Sequence, residues 1–160
     1  MVLQGRLCGE TNLLLCLKTM RPGYSANMSM RGNCRCRNIE VRWQITDYSL
    51  VPRACPCIYC QQKSAAYVSK SGSRFAVVIH NDTLHKTRQN GSHQARFHEC
   101  ANCGDVVFVT AEIEGETFGA LNARCLQNRC GFPAPLPIDN TAQTAQERLA
   151  RWHQHWCRVV

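Results

Sequence analysis

The sequence has no long apolar run, no tract of like charge, no internal repeat and no low-complexity segment. Its longest apolar stretch near the start, Leu13 to Leu17, covers five residues and follows Glu10. That is too short for the core of an export signal and far too short to cross a bilayer. No small residue precedes Cys16, where a lipoprotein cleavage site would need one. The expectation is a cytoplasmic protein with no membrane partner. Basic residues outnumber acidic ones, 19 to 11, for a formal charge of +8. They are scattered, as at Arg21, Arg31, Arg35, Arg37, Arg42 and Arg53, and aromatic residues do not alternate with them. This argues against a nucleic-acid groove and leaves small anions as partners, or a charge that only maintains solubility. Charged residues make up 19% and apolar residues 44%, a mixture that excludes wholesale disorder.

Cysteine is what the sequence has in excess, with twelve in 160 residues. Without an export signal, clustered thiols point to metal binding or thiol chemistry before disulfides. Residues 1–30 show no sustained period and end in Met20, Met28 and Met30. They are read as an extension, or as sequence upstream of a start at Met28 or Met30, and carry none of the functional reading.

From Arg31 the pattern sharpens. Ile39, Val41, Trp43 and Ile45 alternate with polar residues, the period of a half-buried strand. Further strands are expected at Phe75 to Ile79, at Leu84 to Gln89, and at Val106 to Ile113 and Thr117 to Asn122, the last two flanking a hairpin signal at Glu114-Gly115-Glu116. Without β-α-β alternation, the sheet should be mostly antiparallel. The proline-spaced segment from Gly131 to Pro137 reads as an extended connector. Beyond it, Ala145, Leu149, Trp152 and Trp156 fall on one face of a short C-terminal helix, with Asn140 or Thr141 as its N-cap. The expected organisation is thus an extension (1–30), a β-domain (31–138) that holds the clustered cysteines, and a helix packed upon it (139–160).

Seven cysteines form three ordered groups: Cys34-Arg35-Cys36, Cys55-Pro56-Cys57-Ile58-Tyr59-Cys60, and Cys100-Ala101-Asn102-Cys103-Gly104. Short C-x-C and C-x-x-C loops let one turn offer two thiolates to a tetrahedral zinc, and Gly104 allows the backbone to bend sharply after Cys103. Two pairs would make a closed four-cysteine site. The trio would leave a coordination position open, as catalytic zinc requires. Other partitions remain, including completion of the trio by His80, His85, His93 or His98. Cys8, Cys16, Cys125, Cys130 and Cys157 are read as thiols outside the metal sites.

The order and spacing of these groups, with the preceding Gly32-Asn33 and the closing run from Gly119 to Leu126, resemble the glutathione-dependent formaldehyde-activating enzymes, a domain also found in centromere protein V. The resemblance implies a mainly β fold of coiled, mostly antiparallel sheets. It implies two zinc ions per chain, a structural one on Cys34, Cys36, Cys100 and Cys103 and a labile catalytic one on Cys55, Cys57 and Cys60. It further implies glutathione as co-substrate and the condensation of that thiol with formaldehyde or another small aldehyde, formally a carbon–sulfur lyase reaction in reverse. Tyr59, Tyr67 and His98 are candidate proton donors by position, and Arg53 and Arg96 suit glutathione carboxylates by charge. A second reading, from a different class, is a non-enzymatic zinc module that binds protein or nucleic acid.

Overall fold

The computed structural model describes residues 29–160, so residues 1–28 of the expected extension, with Cys8 and Cys16, lie outside the described residues, while Met30 belongs not to an extension but to the first strand, where its side chain is buried in the core. The chain forms β1 (Met30–Asn33), β2 (Ile39–Trp43), β3 (Arg53–Ala54), α1 (Ile58–Gln62), β4 (Tyr67–Val68), β5 (Arg74–Ile79), β6 (His85–Gln89), β7 (Arg96–Cys100), β8 (Val106–Ile113), β9 (Glu116–Asn122), β10 (Leu136–Pro137), α2 (Ala145–His155) and β11 (Cys157–Val159), with single 3-10 turns between some of them. The fold is mainly β. All eleven strands join one open sheet, antiparallel except where β10 meets β3 and β11 meets β5.

Strand β9 organises the sheet. One edge runs the length of β8, from Ile113 opposite Glu116 to Phe108 opposite Leu121. The other edge is divided: β11 takes Phe118 and Gly119, and β4 takes Leu121 and Asn122. The β8–β9 link is the two-residue loop Glu114-Gly115, both at positive φ (53° and 80°), the turn that matches the twist of a hairpin. Gly119 has no alternative at its site. A Cβ there would lie 2.7 Å from the Val109 carbonyl oxygen and 2.9 Å from Phe75 Cζ.

Both faces of the β8–β9 ribbon are covered, which is why Val106 to Ala111 reads as a nearly continuous buried run rather than an alternation. One core gathers Ile39, Val41, Trp43, Phe75, Val107, Phe108 and Leu121. The other gathers Phe97, Val109, Ala111, Phe118, Ala120 and Trp152, with Tyr59 and Cys60 of the α1 loop. Trp43, fully buried, satisfies its indole N–H by donating to Ser73 Oγ at 2.9 Å.

Helix α2 is capped by Thr144, not by Asn140 or Thr141. Thr144 Oγ1 accepts from the Glu147 amide while Glu147 Oε2 accepts from the Thr144 amide, a reciprocal capping box. The earlier candidates sit in a turn of their own, where Asp139 accepts from the amide and hydroxyl of Thr141. After α2 the chain does not stop packing as helix but enters the sheet as β11. Among the described residues no helix is long and apolar enough to cross a membrane.

Candidate metal centres and the adjoining cleft

Two turns far apart in sequence build the first centre. Cys34 and Cys36 occupy the turn between β1 and β2, while Cys100 ends β7 and Cys103 lies in the turn that leads to β8. The four sulfurs lie within 4.8 Å of one another. Cys34 Sγ and Cys36 Sγ are 3.7 Å apart, and Cys36 Sγ and Cys100 Sγ 3.4 Å. A tetrahedron of sulfurs about 2.3 Å from zinc has edges of about 3.8 Å, so the set fits that ion.

The surroundings suit thiolates. The Ile39 amide points at Cys34 Sγ (3.3 Å), and Gly104, at φ +77°, donates its amide to the Cys100 carbonyl to close the knuckle. Burial pushes the Cys34 thiol up to about 12, whereas a hydrogen bond from Asn102, aided by others, brings Cys36 down to about 6. Without an ion such a set cannot ionise together, and a dication removes that conflict by replacing the protons.

Asp105, directly after the knuckle, fastens the two turns to each other. Its carboxylate accepts from the Arg35 amide (2.8 Å) and Arg35 Nε (3.0 Å), and the same guanidinium also donates to the Cys103 carbonyl.

The second centre is local. Cys55, Cys57 and Cys60 bring their sulfurs within the same mutual distance from a single loop. Cys57 caps α1, its sulfur accepting from the Cys60 amide at 3.4 Å. The hydrogen bond from Cys60 holds Cys55 down at about 5, and the same bond together with burial pushes Cys60 well up. No histidine, aspartate or glutamate among the described residues joins the trio. His80 pairs with Glu40 (3.3 Å), and His93 is absent from both centres. His98 is held between His85 (2.9 Å) and Thr110 (2.8 Å). Cys125, Cys130 and Cys157 join neither centre.

Cys55 and Cys57 line a cleft of about 560 Å³ that runs between the sheet and α2. Tyr67, Phe97, Trp152 and Trp156 give it an apolar wall, while Arg53, Arg148 and Arg151 give it positive charge. Trp152 and Trp156 stack at 4.5 Å. Of the three proton-donor candidates only Tyr67 lines this cleft, with its hydroxyl 3.9 Å from Cys60 Sγ; burial above all pushes its pKa well up, so it stays protonated. Tyr59 donates instead to buried Glu99 (2.7 Å), outside the cleft. Arg53 lines the cleft and Arg96 does not. Arg148 and Arg151 were missed because α2 was read only for its apolar face; two arginines three apart beside a tryptophan stripe were the available signal.

A mainly β sheet carrying one four-cysteine and one three-cysteine cluster defines a class of thiol-rich, metal-competent domains. Within it, residues 29–135 match the model of the family described as glutathione-dependent formaldehyde-activating enzyme, and the chain belongs to that family. A crystal structure of a Rhodobacter sphaeroides protein, a structural-genomics target, shares the fold with a TM-score of 0.54. It is 21% identical, and the match covers 68% of this chain and 100% of that one. No curated protein matches this sequence.

Proposed function

We propose that the chain captures glutathione at a zinc held by Cys55, Cys57 and Cys60 and condenses it with formaldehyde or another small aldehyde. The observation that carries this reading is a cluster of three cysteines, not four, two of which, Cys55 and Cys57, line a cleft. Cys34, Cys36, Cys100 and Cys103 would hold a second zinc with no position left for a ligand, in a structural role. A binding module with two closed zinc sites would need a fourth ligand at the trio, and no described cysteine, histidine or carboxylate supplies one.

Zinc at the trio would lower the pKa of a thiol brought to it and polarise a carbonyl. The residues of the chain do the rest. Phe97, Trp152 and Trp156 give the cleft an apolar wall against which the ligand can pack. The thiol proton leaves to solvent, the sulfur forms a bond to the aldehyde carbon, and the carbonyl π pair becomes an alkoxide. Tyr67, protonated and lining the cleft, donates to that oxygen and regains its proton from water. The net change is addition of R–SH across C=O, with no redox partner.

The test is native mass spectrometry of the zinc-loaded protein during a glutathione titration. Two zinc ions and a glutathione adduct, the adduct lost in Cys57→Ser, support the reading. Two zinc ions with no adduct at about millimolar thiol, far above the affinities expected of a built site, overturn it.

A further inference from the structure

We infer that Arg53, Arg148 and Arg151 form a carboxylate-binding subsite in the cleft, which selects an anionic thiol over a neutral one and directs its sulfur toward the cysteine trio. The inference rests on the function proposed above for that trio, but it is carried by different residues. Two of the three arginines stand on α2, beyond the segment that matches the family model.

The three side chains share one cleft although Arg53 is distant in the chain from Arg148 and Arg151, which stand one turn apart on α2. They are close enough that Arg148 and Arg53 both disfavour the charge on Arg151, an effect added to its burial. Like charges gathered this way need a counter-charge. Among the described residues, no carboxylate lies within ion-pair distance of any of them. The acids nearest in sequence are turned away: Asp139 accepts from Thr141, and Glu147 accepts from the Thr144 amide.

Arg148 is steadied by neutral acceptors alone, Gln94 Oε1 at 3.2 Å and the Gln143 carbonyl at 3.3 Å. Arg151 has a buried Nε with no hydrogen-bond partner, and a buried donor left unpaired is costly. A ligand carboxylate on the cleft side of these guanidinium groups would offset both that cost and the mutual repulsion. Guanidinium suits this task because its planar fork meets a carboxylate with two parallel bonds. The stacked Trp152 and Trp156 and the Cys55 and Cys57 side chains line the same space, so one ligand can reach both the arginines and the sulfur site.

Trp152 and Trp156 also provide the assay, because a ligand in the cleft changes their fluorescence while Trp43 stays fully buried. Zinc-loaded protein is titrated with glutathione, with S-methylglutathione and with 2-mercaptoethanol. These probes carry thiol and carboxylates, carboxylates alone, and thiol alone. Cobalt-substituted protein, titrated in parallel, reports sulfur reaching the metal through its charge-transfer band. In Arg151→Gln, and separately in Arg53→Gln, both glutathione forms should bind about tenfold more weakly, as loss of a charge-assisted bond predicts. The response to 2-mercaptoethanol should not change. Arg151→Lys, which keeps the charge but not the fork, should recover part of the loss.

Unchanged glutathione affinity in both Gln variants overturns the subsite and leaves the sulfur site standing if the cobalt band still responds. Equal weakening of 2-mercaptoethanol in a variant with an unaltered melting temperature also overturns it. Arginine-dependent binding of S-methylglutathione with no cobalt response to any thiol keeps the subsite and removes the proposed function.

Discussion

Cys36→Ser and Cys57→Ser each remove one ligand from one cluster, yet their effects on stability should differ widely. Cys36 is exposed and Cys57 half-buried, so neither replacement opens a large cavity. What differs is the length of chain each metal clip would close. Cys36 and Cys100 are 64 residues apart, whereas Cys55 and Cys60 are five apart. The closure entropy of the unfolded chain grows as (3/2)RT ln n, so the long clip exceeds the short one by about 2 kcal/mol. For a domain of this size, about 4 °C per kcal/mol makes that a gap of about 8 °C in melting temperature. The tetrad also loses a fourth metal bond, which widens the gap. Thermal melts followed by circular dichroism, with zinc counted per chain by mass spectrometry, measure it. Each variant should lose one zinc, and Cys36→Ser should melt well below Cys57→Ser. Equal melting temperatures, or a lower one for Cys57→Ser, would refute the assignment of a structural role to the tetrad.

Further outcomes are expected. Gly119→Ala forces a methyl against the Val109 carbonyl and the Phe75 ring, and urea titration should show a loss of about 1–3 kcal/mol. Tyr67→Phe should keep both zinc ions and glutathione binding while slowing aldehyde addition about 100-fold, measured by aldehyde-dependent thiol loss; an unchanged rate removes Tyr67 as the proton donor. Asp47 is held down at about 2, first by Ser49 and then by Lys70. Because its folded pKa lies below the unfolded value of about 3.9, its contribution is present above that value and fades as pH falls toward 2. Asp47 is partly exposed, so Asp47→Asn should flatten the acid limb of a pH–stability curve by only a few tenths of a kcal/mol.

Much of this architecture was legible in the sequence because it is written in local pattern. The alternation at Ile39 to Trp43, the apolar run of β5 and the Glu114-Gly115 turn each declare themselves within a few residues. So do the three cysteine groups, whose spacings constrain the ligand sets before any contact is known. What escaped depends on partners distant in sequence. Strands β3, β4, β10 and β11 are two or three residues long and exist only because a neighbour offers an edge. Strand β7 was hidden by its mixed run, Arg-Phe-His-Glu-Cys, whose charged Glu99 is buried against Tyr59 and Lys63. Tyr67, Tyr59 and His98 were alike by position, and only the cleft separates the first from the other two. Arg53 and Arg96 suited a carboxylate equally by charge, as several other arginines did, and the fold puts the first in the cleft and the second outside it.

The divided edge of β9 has a bearing on how the chain reaches its final form. Among the described residues, strands β1, β2 and β5 are hydrogen-bonded into the sheet of β9 only through β11, which lies parallel to β5 and antiparallel to β9. During synthesis the ribosome releases every other strand first, so two half-sheets must wait, each with an unsatisfied border, until Cys157 to Val159 emerge. Those three residues act as a keystone set last. Nascent chains halted just before them should display exposed strand borders and call on chaperones, whereas the 160-residue sequence held clear of the ribosome by an added linker should resist protease.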